Sequence, residues 1–329
     1  MRSREDIGLE IIRILKACEG GYASGQALSL ELGVSRTAVW KHIKLLKKTG
    51  FLIEAAPSKG YRLASTTLPF NDIEVSSSLS TEFIGGNIYF FRSLDSTNTR
   101  AYELGRGGCP EGTAVIADSQ TNGKGRVGRR WESLPGVNLY TSIVLRPPVP
   151  PQNANNLTFL SAVALAESVS HFIRRRPSVK WPNDVLVDGR KIAGILLEMD
   201  SEADRVHFVV AGIGVNLNMK EEMFPEFLRN TATSVMEKAG GAVDRAEFAR
   251  SLYSSIEKWY KIYLKEGFTP VLDEWRGYFE AAGRPVKVTS FNRTVEGICA
   301  GVDMDGALLV RTPSGKVERV VSGDVVTAR

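Results

Sequence analysis

Apolar positions at a helical spacing open the chain. Ile7, Ile11, Ile14 and Leu15 fall on one face of a helix predicted over 6–17. In "SGQALSLELGVSRTAVWKHIKLLKKTG", Ser24 suits a helix cap, and Leu28 and Leu32 share one face. Gly33 suits the helix end, because glycine adopts the left-handed conformation readily. Ser35 caps the next predicted helix, with Val39, Ile43 and Leu46 facing inward. Two helices joined by a tight glycine-containing turn are a helix-turn-helix layout. "FLIEAAPSKGYRL" then predicts two short strands around Pro57–Gly60, a β-hairpin wing. The polar stretch at 65–75 reads as a linker.

Beyond it the pattern becomes mixed. "NIYFFRSL", "TAVIADSQ", "VNLYTSIVLRP" and "HFVVAGIGVNL" predict strands. "NLTFLSAVALAESVSHFI" predicts a helix with Leu157, Leu160, Ala164, Ala166 and Val169 roughly on one side, and 245–264 and 269–280 look helical too. From Gly283, short strands alternate with turns at 303–306 and 313–315, which suggests a small β-barrel. The expected fold class is α+β: a winged helix over 1–64, a mixed α/β domain over 76–282 and the barrel over 283–329.

Composition adds two restrictions. No apolar run reaches the roughly 20 residues of a membrane span, and "MRSREDIGLE" lacks a signal-peptide layout. A cytoplasmic protein with no membrane partner is therefore expected. Cys18, Cys109, Cys299, His42, His171 and His207 are isolated. That spacing excludes a disulfide framework, a zinc site and a Ser-His-Asp triad, so no resident metal is expected. Charge changes the picture more. Residues 1–64 carry 11 Lys or Arg against 6 Asp or Glu, whereas residues 65–329 carry 31 of each. A basic module on a neutral body points to nucleic acid. Ser35, Arg36 and Thr37 stand at the end of the recognition helix that enters a major groove, and Lys41, Lys44 and Lys59 could meet phosphates. A winged helix used for protein contact stays open as the alternative.

"QTNGKGRVGRRW" (120–131) holds the most concentrated chemistry. Gly123, Gly125 and Gly128 spell GxGxxG after a strand, but no helix follows: Pro135 and Gly136 lead straight to another strand. A dinucleotide fingerprint needs that helix, so the Rossmann reading fails, and no Walker A loop occurs. What remains is glycine-permitted backbone approach, the cations Lys124, Arg126, Arg129 and Arg130, and the flat face of Trp131. The set suits an anionic ligand with an aromatic part, such as a nucleotide; a bare basic turn is the alternative.

Together with "DSTN" (95–98), "KWPNDVLVDGRKIAGIL" (180–196) and "GIGVNLN" (212–218), "GKGRVGRRW" resembles the biotin protein ligases. The winged helix resembles that of the bifunctional members, which are also biotin operon repressors. The resemblance covers nearly the whole chain. Lys124 departs from it, since many members carry arginine there; Val127 replaces another common arginine. The resemblance implies a class II aminoacyl-tRNA-synthetase-like central domain and an SH3-like C-terminal domain. It implies biotin and ATP as substrates, Mg²⁺ for adenylation, and transfer of biotin to a lysine of a biotin carboxyl carrier protein. Operator DNA and a ligand-linked homodimer are implied as partners. Carried onto this sequence, Lys191, Arg126 and Asp184 are the catalytic candidates. Ser96, Thr97, Asn98, Gln120, Lys124, Gly125, Arg126 and Lys191 would hold biotin. Arg129, Trp131 and Asn216 would hold the nucleotide. A ligand-sensing regulator without catalysis, a lipoate ligase, and a ligase whose winged helix no longer binds DNA remain as alternatives.

Overall fold

The computed structural model describes residues 4–65, 68–290 and 293–327. The chain forms two compact units that divide after Ser80.

The first unit contains α1 (Arg4–Ala17), α2 (Gly25–Leu32), α3 (Arg36–Lys48), the strands β1 (Ile53–Ala56) and β2 (Gly60–Leu63), and α4 (Asp72–Ser77). The caps form as the sequence suggests. Ser24 Oγ accepts from Ala27 N at 3.0 Å, Ser35 Oγ accepts from Ala38 N at 3.2 Å, and Gly33 sits at φ +66°. Ile11, Leu15, Leu28, Leu32, Val39, Ile43 and Leu46 make the core with Phe51 and Ile53. β1 and β2 pair antiparallel as the wing.

The expected linker differs from the structure. Residues 66–67 lie outside the described residues, but residues 72–77 are helical and docked on α1. Asn71 caps that helix by accepting from Glu74 N, and buried Glu74 takes Lys16 Nζ at 2.7 Å. Composition misled here: "NDIEV" is polar, yet its carboxylate is an anchor inside the first unit.

The second unit is built on a seven-stranded sheet ordered β3-β4-β5-β9-β8-β7-β6. Its strands are β3 (Ile88–Phe91), β4 (Ala114–Ala117), β5 (Leu139–Leu145), β6 (Ser178–Lys180), β7 (Asp184–Val187), β8 (Arg190–Ser201) and β9 (Val206–Val215). Only β3 and β4 run parallel. Helices α5 (Thr97–Arg106), α6 (Asn156–Phe172), α7 (Val235–Ala239), α8 (Arg245–Glu266) and α9 (Thr269–Tyr278) surround it. Alternation along β5 sorts two of them by face. Ser142 Oγ meets Asn98 of α5 at 2.7 Å, whereas the neighbouring Thr141 meets Tyr253 of α8 at 2.7 Å. Helix α6 is buried on nearly all sides rather than on one, because it also packs against α8 and α9.

A five-stranded antiparallel sheet, ordered β13-β12-β11-β10-β14, stands where the small barrel is expected. Its strands are β10 (Pro285–Ser290), β11 (Arg293–Val302), β12 (Leu308–Arg311), β13 (Val317–Val320) and β14 (Asp324–Thr327). Trp181 Nε1 donates to Gly306 O at 3.0 Å, which ties this sheet to the turn before β7.

Glu257 on α8 pins the start of the unit. Its buried carboxylate accepts from the backbone N of Glu82, Phe83 and Ile84 at 2.8, 2.9 and 3.0 Å, and from Lys261. Burial works against the charge, but the backbone donors and Lys261 outweigh it and hold the pKa below the ordinary glutamate value. A depressed pKa contributes stability above the unfolded value of about 4.3, lost as pH falls through the folded pKa. Glu257→Gln is expected to lower the melting temperature at pH 7, by a few degrees for a loss of about 1–3 kcal/mol. The deficit should shrink as the pH is taken below about 4. Thermal melts of both proteins across pH check this; a pH-independent deficit contradicts it.

Candidate active site

The site begins with glycines. In the β8–β9 ladder, Gly194 stands directly opposite Gly214, and Gly212 follows on the same face. The resulting gap in side-chain cover is filled from above by Trp131. A Cβ on Gly214 would lie 2.5 Å from Trp131 Cε2, and one on Gly194 would lie 3.0 Å from Cζ3. A Cβ on Gly212 would lie 1.8 Å from Asn98 Oδ1. Alanine at either Gly212 or Gly214 therefore cannot be accommodated without moving a neighbour.

Trp131 ends a short hairpin-like lid. Trp131 N donates to Gly123 O at 2.9 Å, Lys124 bridges Arg130, and Gly125 N donates to Arg129 O at 2.7 Å. A 3₁₀ turn at Arg126–Gly128 closes the tip, with Val127 and Gly128 at positive φ. No helix follows the GxGxxG run, in keeping with its failure as a dinucleotide fingerprint.

Two cavities meet beneath the lid, and Trp131 and Lys191 line both. The narrower one, about 60 Å³, is polar at one end. All eight residues proposed for biotin line it: Ser96, Thr97, Asn98, Gln120, Lys124, Gly125, Arg126 and Lys191. Several are already engaged with each other. Gln120 Oε1 accepts from Thr97 N at 2.8 Å and from Thr97 Oγ1 at 3.1 Å, while Gln120 Nε2 donates to Ser133 Oγ at 2.9 Å. Asn98 Nδ2 donates to Glu198 Oε2 at 2.9 Å. Ser96 is buried at the N-cap of α5 yet makes no side-chain cap bond, so its hydroxyl is left to the slot.

The lid cations have partners as well. Lys124 Nζ pairs with Glu198 Oε1 at 3.0 Å, which ties the lid to β8. Arg126 donates to Asn183 Oδ1 at 3.0 Å, and Asn183 in turn donates to Ile195 O at 2.7 Å. Burial lowers the Arg126 pKa, against Asp324 and Asp184, which raise it. Arg129 pairs with Asp324 of β14, and Arg130 donates to Thr121 O at 2.6 Å.

The larger cavity, about 710 Å³, contains Arg129, Trp131 and Asn216 in its lining, together with Asp184. Phe224, Phe227, Leu228 and Ala232 make its apolar side. Asn216 is held by donating to Thr233 O at 3.1 Å. Lys191 Nζ lies 2.6 Å from Asp184 Oδ1 and 5.3 Å from the centre of the Trp131 ring. A cation thus stands where the two cavities join.

In the first unit, Arg36, Thr37, Lys41, Lys44 and Lys59 are exposed, whereas the Ser35 hydroxyl oxygen is engaged as a cap. Trp40, 52% exposed with Lys44 Nζ 5.3 Å from its ring, lies beside them. Arg36, Thr37 and Trp40 share a groove with the wing residues Ala55–Ser58.

Comparison with known proteins agrees with this layout. Residues 90–216 match the Biotin/lipoate A/B protein ligase family, residues 9–62 an HTH domain, and residues 282–327 the biotin protein ligase C-terminal domain. The chain is 38% identical over 322 residues to the bifunctional ligase/repressor BirA of Bacillus subtilis, covering 98% of this chain and 99% of that one. The chain belongs to the biotin protein ligase family. It is also 32% identical to BirA of Escherichia coli, over 97% of this chain and 96% of the relative. A biotin protein ligase from Aquifex aeolicus in complex with biotin and ATP superposes with a TM-score of 0.64 at 28% identity, covering 74% of this chain and 99% of the other.

Within this biotin protein ligase fold, three contributors escaped sequence reasoning. Asn183 and Glu198 lie inside or just after the "KWPNDVLVDGRKIAGIL" stretch, but only the fold shows them gripping Arg126 and Lys124. The apolar wall at 224–232 has no regular spacing to mark it.

Gly214→Ala is expected to expel Trp131 from the sheet surface and loosen the lid. Trypsin should then cut within 124–130 several-fold faster, with a red-shifted tryptophan emission. Gly241→Ala, whose added Cβ meets nothing within 4 Å, should change neither.

Proposed function

We propose that the chain joins biotin to a lysine of a biotin carboxyl carrier protein in two steps driven by ATP. The observation that carries this reading is the meeting of a polar slot and a large, partly apolar cavity at Lys191, under one glycine- and arginine-rich lid. In the first step a carboxylate oxygen of biotin bonds to the α-phosphorus of ATP. The bond from that phosphorus to the bridging oxygen breaks, and pyrophosphate leaves; Mg²⁺ bound with ATP would help screen the phosphate charge. Attack of one anion on another needs positive charge at the junction, and Lys191 and Arg126 supply it. Ser96, Thr97, Asn98 and Gln120 orient biotin, the backbone at 124–126 covers it, and Trp131, Asn216 and Arg129 border the nucleotide.

In the second step the carrier lysine attacks the acyl carbon, the bond to AMP breaks, and the amine loses a proton. That amine has an ordinary pKa of about 10.4, so a neighbouring base accelerates the step. Asp184, 2.6 Å from Lys191, is the carboxylate next to the junction and takes that part. The three segments divide the labour: 1–64 binds operator DNA, 76–282 carries the chemistry, and 283–329 braces the lid through Asp324. In this reading the protein works in the cytoplasm, and retained biotinyl-5′-adenylate favours a homodimer whose two winged helices bind a palindromic operator.

Biotin-dependent exchange of labelled pyrophosphate into ATP tests the first step. Exchange with biotin and none with lipoate is expected; exchange with lipoate alone moves the specificity, and none with either refutes ligation. Lys191→Met should reduce exchange about 10²–10³-fold, as removal of a preorganised charge does. Asp184→Asn should keep exchange while slowing transfer from preformed adenylate; an unchanged transfer rate removes Asp184 from its role.

A further inference from the structure

One wall of the larger cavity lies outside the seven-stranded sheet, whose β6, β7 and β8 residues line another. Phe224, Phe227, Leu228, Thr231 and Ala232 lie on the irregular stretch between β9 and α7. Something must hold that stretch against the sheet for the cavity to have a fixed width. The backbone supplies a short parallel bridge: Lys191 N donates to Thr231 O at 2.7 Å, and Thr233 N donates to Lys191 O at 2.9 Å. The residue before Lys191 supplies the rest. Arg190 Nε donates to Ala232 O at 2.8 Å, and its NH2 group donates to Arg229 O at 2.9 Å. The carboxylates of Glu221 and Glu237 stand 3.8 and 3.9 Å from the same nitrogen. Glu237 is itself fixed by the Thr233 hydroxyl at 2.7 Å. One guanidinium therefore gathers both ends of the wall, from 221 to 237, onto the first residue of β8.

The hairpin that precedes β8 aims this group. Asp188 and Gly189 take positive φ in its tight turn. Asp188 carries Lys238 Nζ at 2.8 Å, so the hairpin tip also grips the end of α7. The Lys238 hydrogen bond depresses the Asp188 pKa, so that grip is held by a full charge. Arginine is suited to the role, because its planar fork serves two carbonyls at once while keeping its charge; a lysine reaches one at a time.

We propose that Arg190 is the positioning residue of the nucleotide half of the site: it clamps the wall at 221–237 against β8 and so sets the fit for ATP, while the rest of the biotin slot, Lys191 apart, has no bond to it. Apart from Lys191, which follows Arg190 in the chain, the slot is lined by the start of α5, Gln120, the lid, Tyr140, Asn183 and residues 194–196 and 212–214, and none of these is a bonded partner of Arg190. Arg190 makes no contact with the reacting groups and acts only through the wall. The proposal rests on the ligase reading above.

The test uses the full chain and biotin-dependent pyrophosphate exchange, with KM for ATP and KM for biotin measured separately. Wild-type exchange establishes the ligase reading before any variant is compared, so the two claims fail independently. Arg190→Ala is expected to raise KM for ATP about tenfold or more while KM for biotin stays within twofold. Arg190→Lys should fall between, keeping the charge and losing the fork. Cleavage of the 220–237 stretch by an added protease should be faster in both variants and slowed again by a non-hydrolysable ATP analogue. If Arg190→Ala does not fold, the lysine variant carries the same comparison. A KM for ATP within twofold of wild type in a folded variant overturns the proposal. An equal rise in both KM values does so too, because a general loosening would move both.

Discussion

The stacking of Trp131 on the Gly194–Gly214 pair is the contact on which the site depends. A cross-strand pair in a sheet normally contributes two side chains to the surface. Here it contributes none, and the indole lies against backbone. The ring then separates the slot from the larger cavity and gives the Lys191 ammonium a π-face 5.3 Å from its centre. Any side chain at 214 would displace the ring, and one at 194 would press on it and on Lys191. The same economy of volume operates at Gly212, whose missing Cβ leaves room for the Asn98 amide.

The lid is held by charge. Lys124 reaches β8 through Glu198, Arg126 reaches the turn before β7 through Asn183, and Arg129 reaches β14 through Asp324. These ties are half-exposed, and each contributes modestly because solvent screens it. That weakness suits a closure that must open for substrates. It also explains why one set of cations can serve two purposes. A guanidinium bonded to the neutral amide of Asn183 exchanges that partner for a carboxylate or phosphate with a gain in electrostatic energy, because charge-assisted hydrogen bonds are the stronger class.

The sequence was most legible where local rules decide structure. Ser24, Ser35 and Gly33 are capping residues at the expected positions, and the inward faces of α2 and α3 follow the helical period. The absence of a helix after Gly128 was readable from Pro135 and Gly136. Most of the site residues lie at a strand end, on the glycine-rich turn or at the N-terminus of α5, where local backbone chemistry marks them. Three features were not legible, for distinct reasons. Helix α4 looks like linker because its stabilising contact, Glu74 with Lys16, spans 58 residues. Helix α6 is buried all round because partners from two later helices cover it, and no period within one segment reports that. The engagement of Lys124, Arg126 and Arg129 with protein partners is tertiary throughout.

The cavity wall is the extreme case of this last kind. Residues 219–234 are irregular, with two short 3₁₀ turns at Glu221–Met223 and Glu226–Leu228. Their apolar members, Met219, Phe224, Leu228 and Ala232, cluster among themselves and with Val137. A cluster of this size has little area to bury and cannot order its own backbone against the entropy cost of about 1–2 kcal/mol per residue. It needs partners from outside, and the β7–β8 hairpin supplies them: Arg190 and Lys191 N donate to its carbonyls, and Asp188 accepts from Lys238 of α7. The residue at the chemical junction and the residue that clamps the wall are therefore adjacent on one strand. Adjacent residues on a strand point to opposite sides, so the Lys191 ammonium lies beside Asp184 and Trp131 while the Arg190 guanidinium bonds the wall. The order Asp-Gly-Arg-Lys thus supplies a turn, two bonds to the cavity wall and a cation at the join of the cavities in succession, and in the proposed reading the same four residues set the width of the nucleotide site and place its charge.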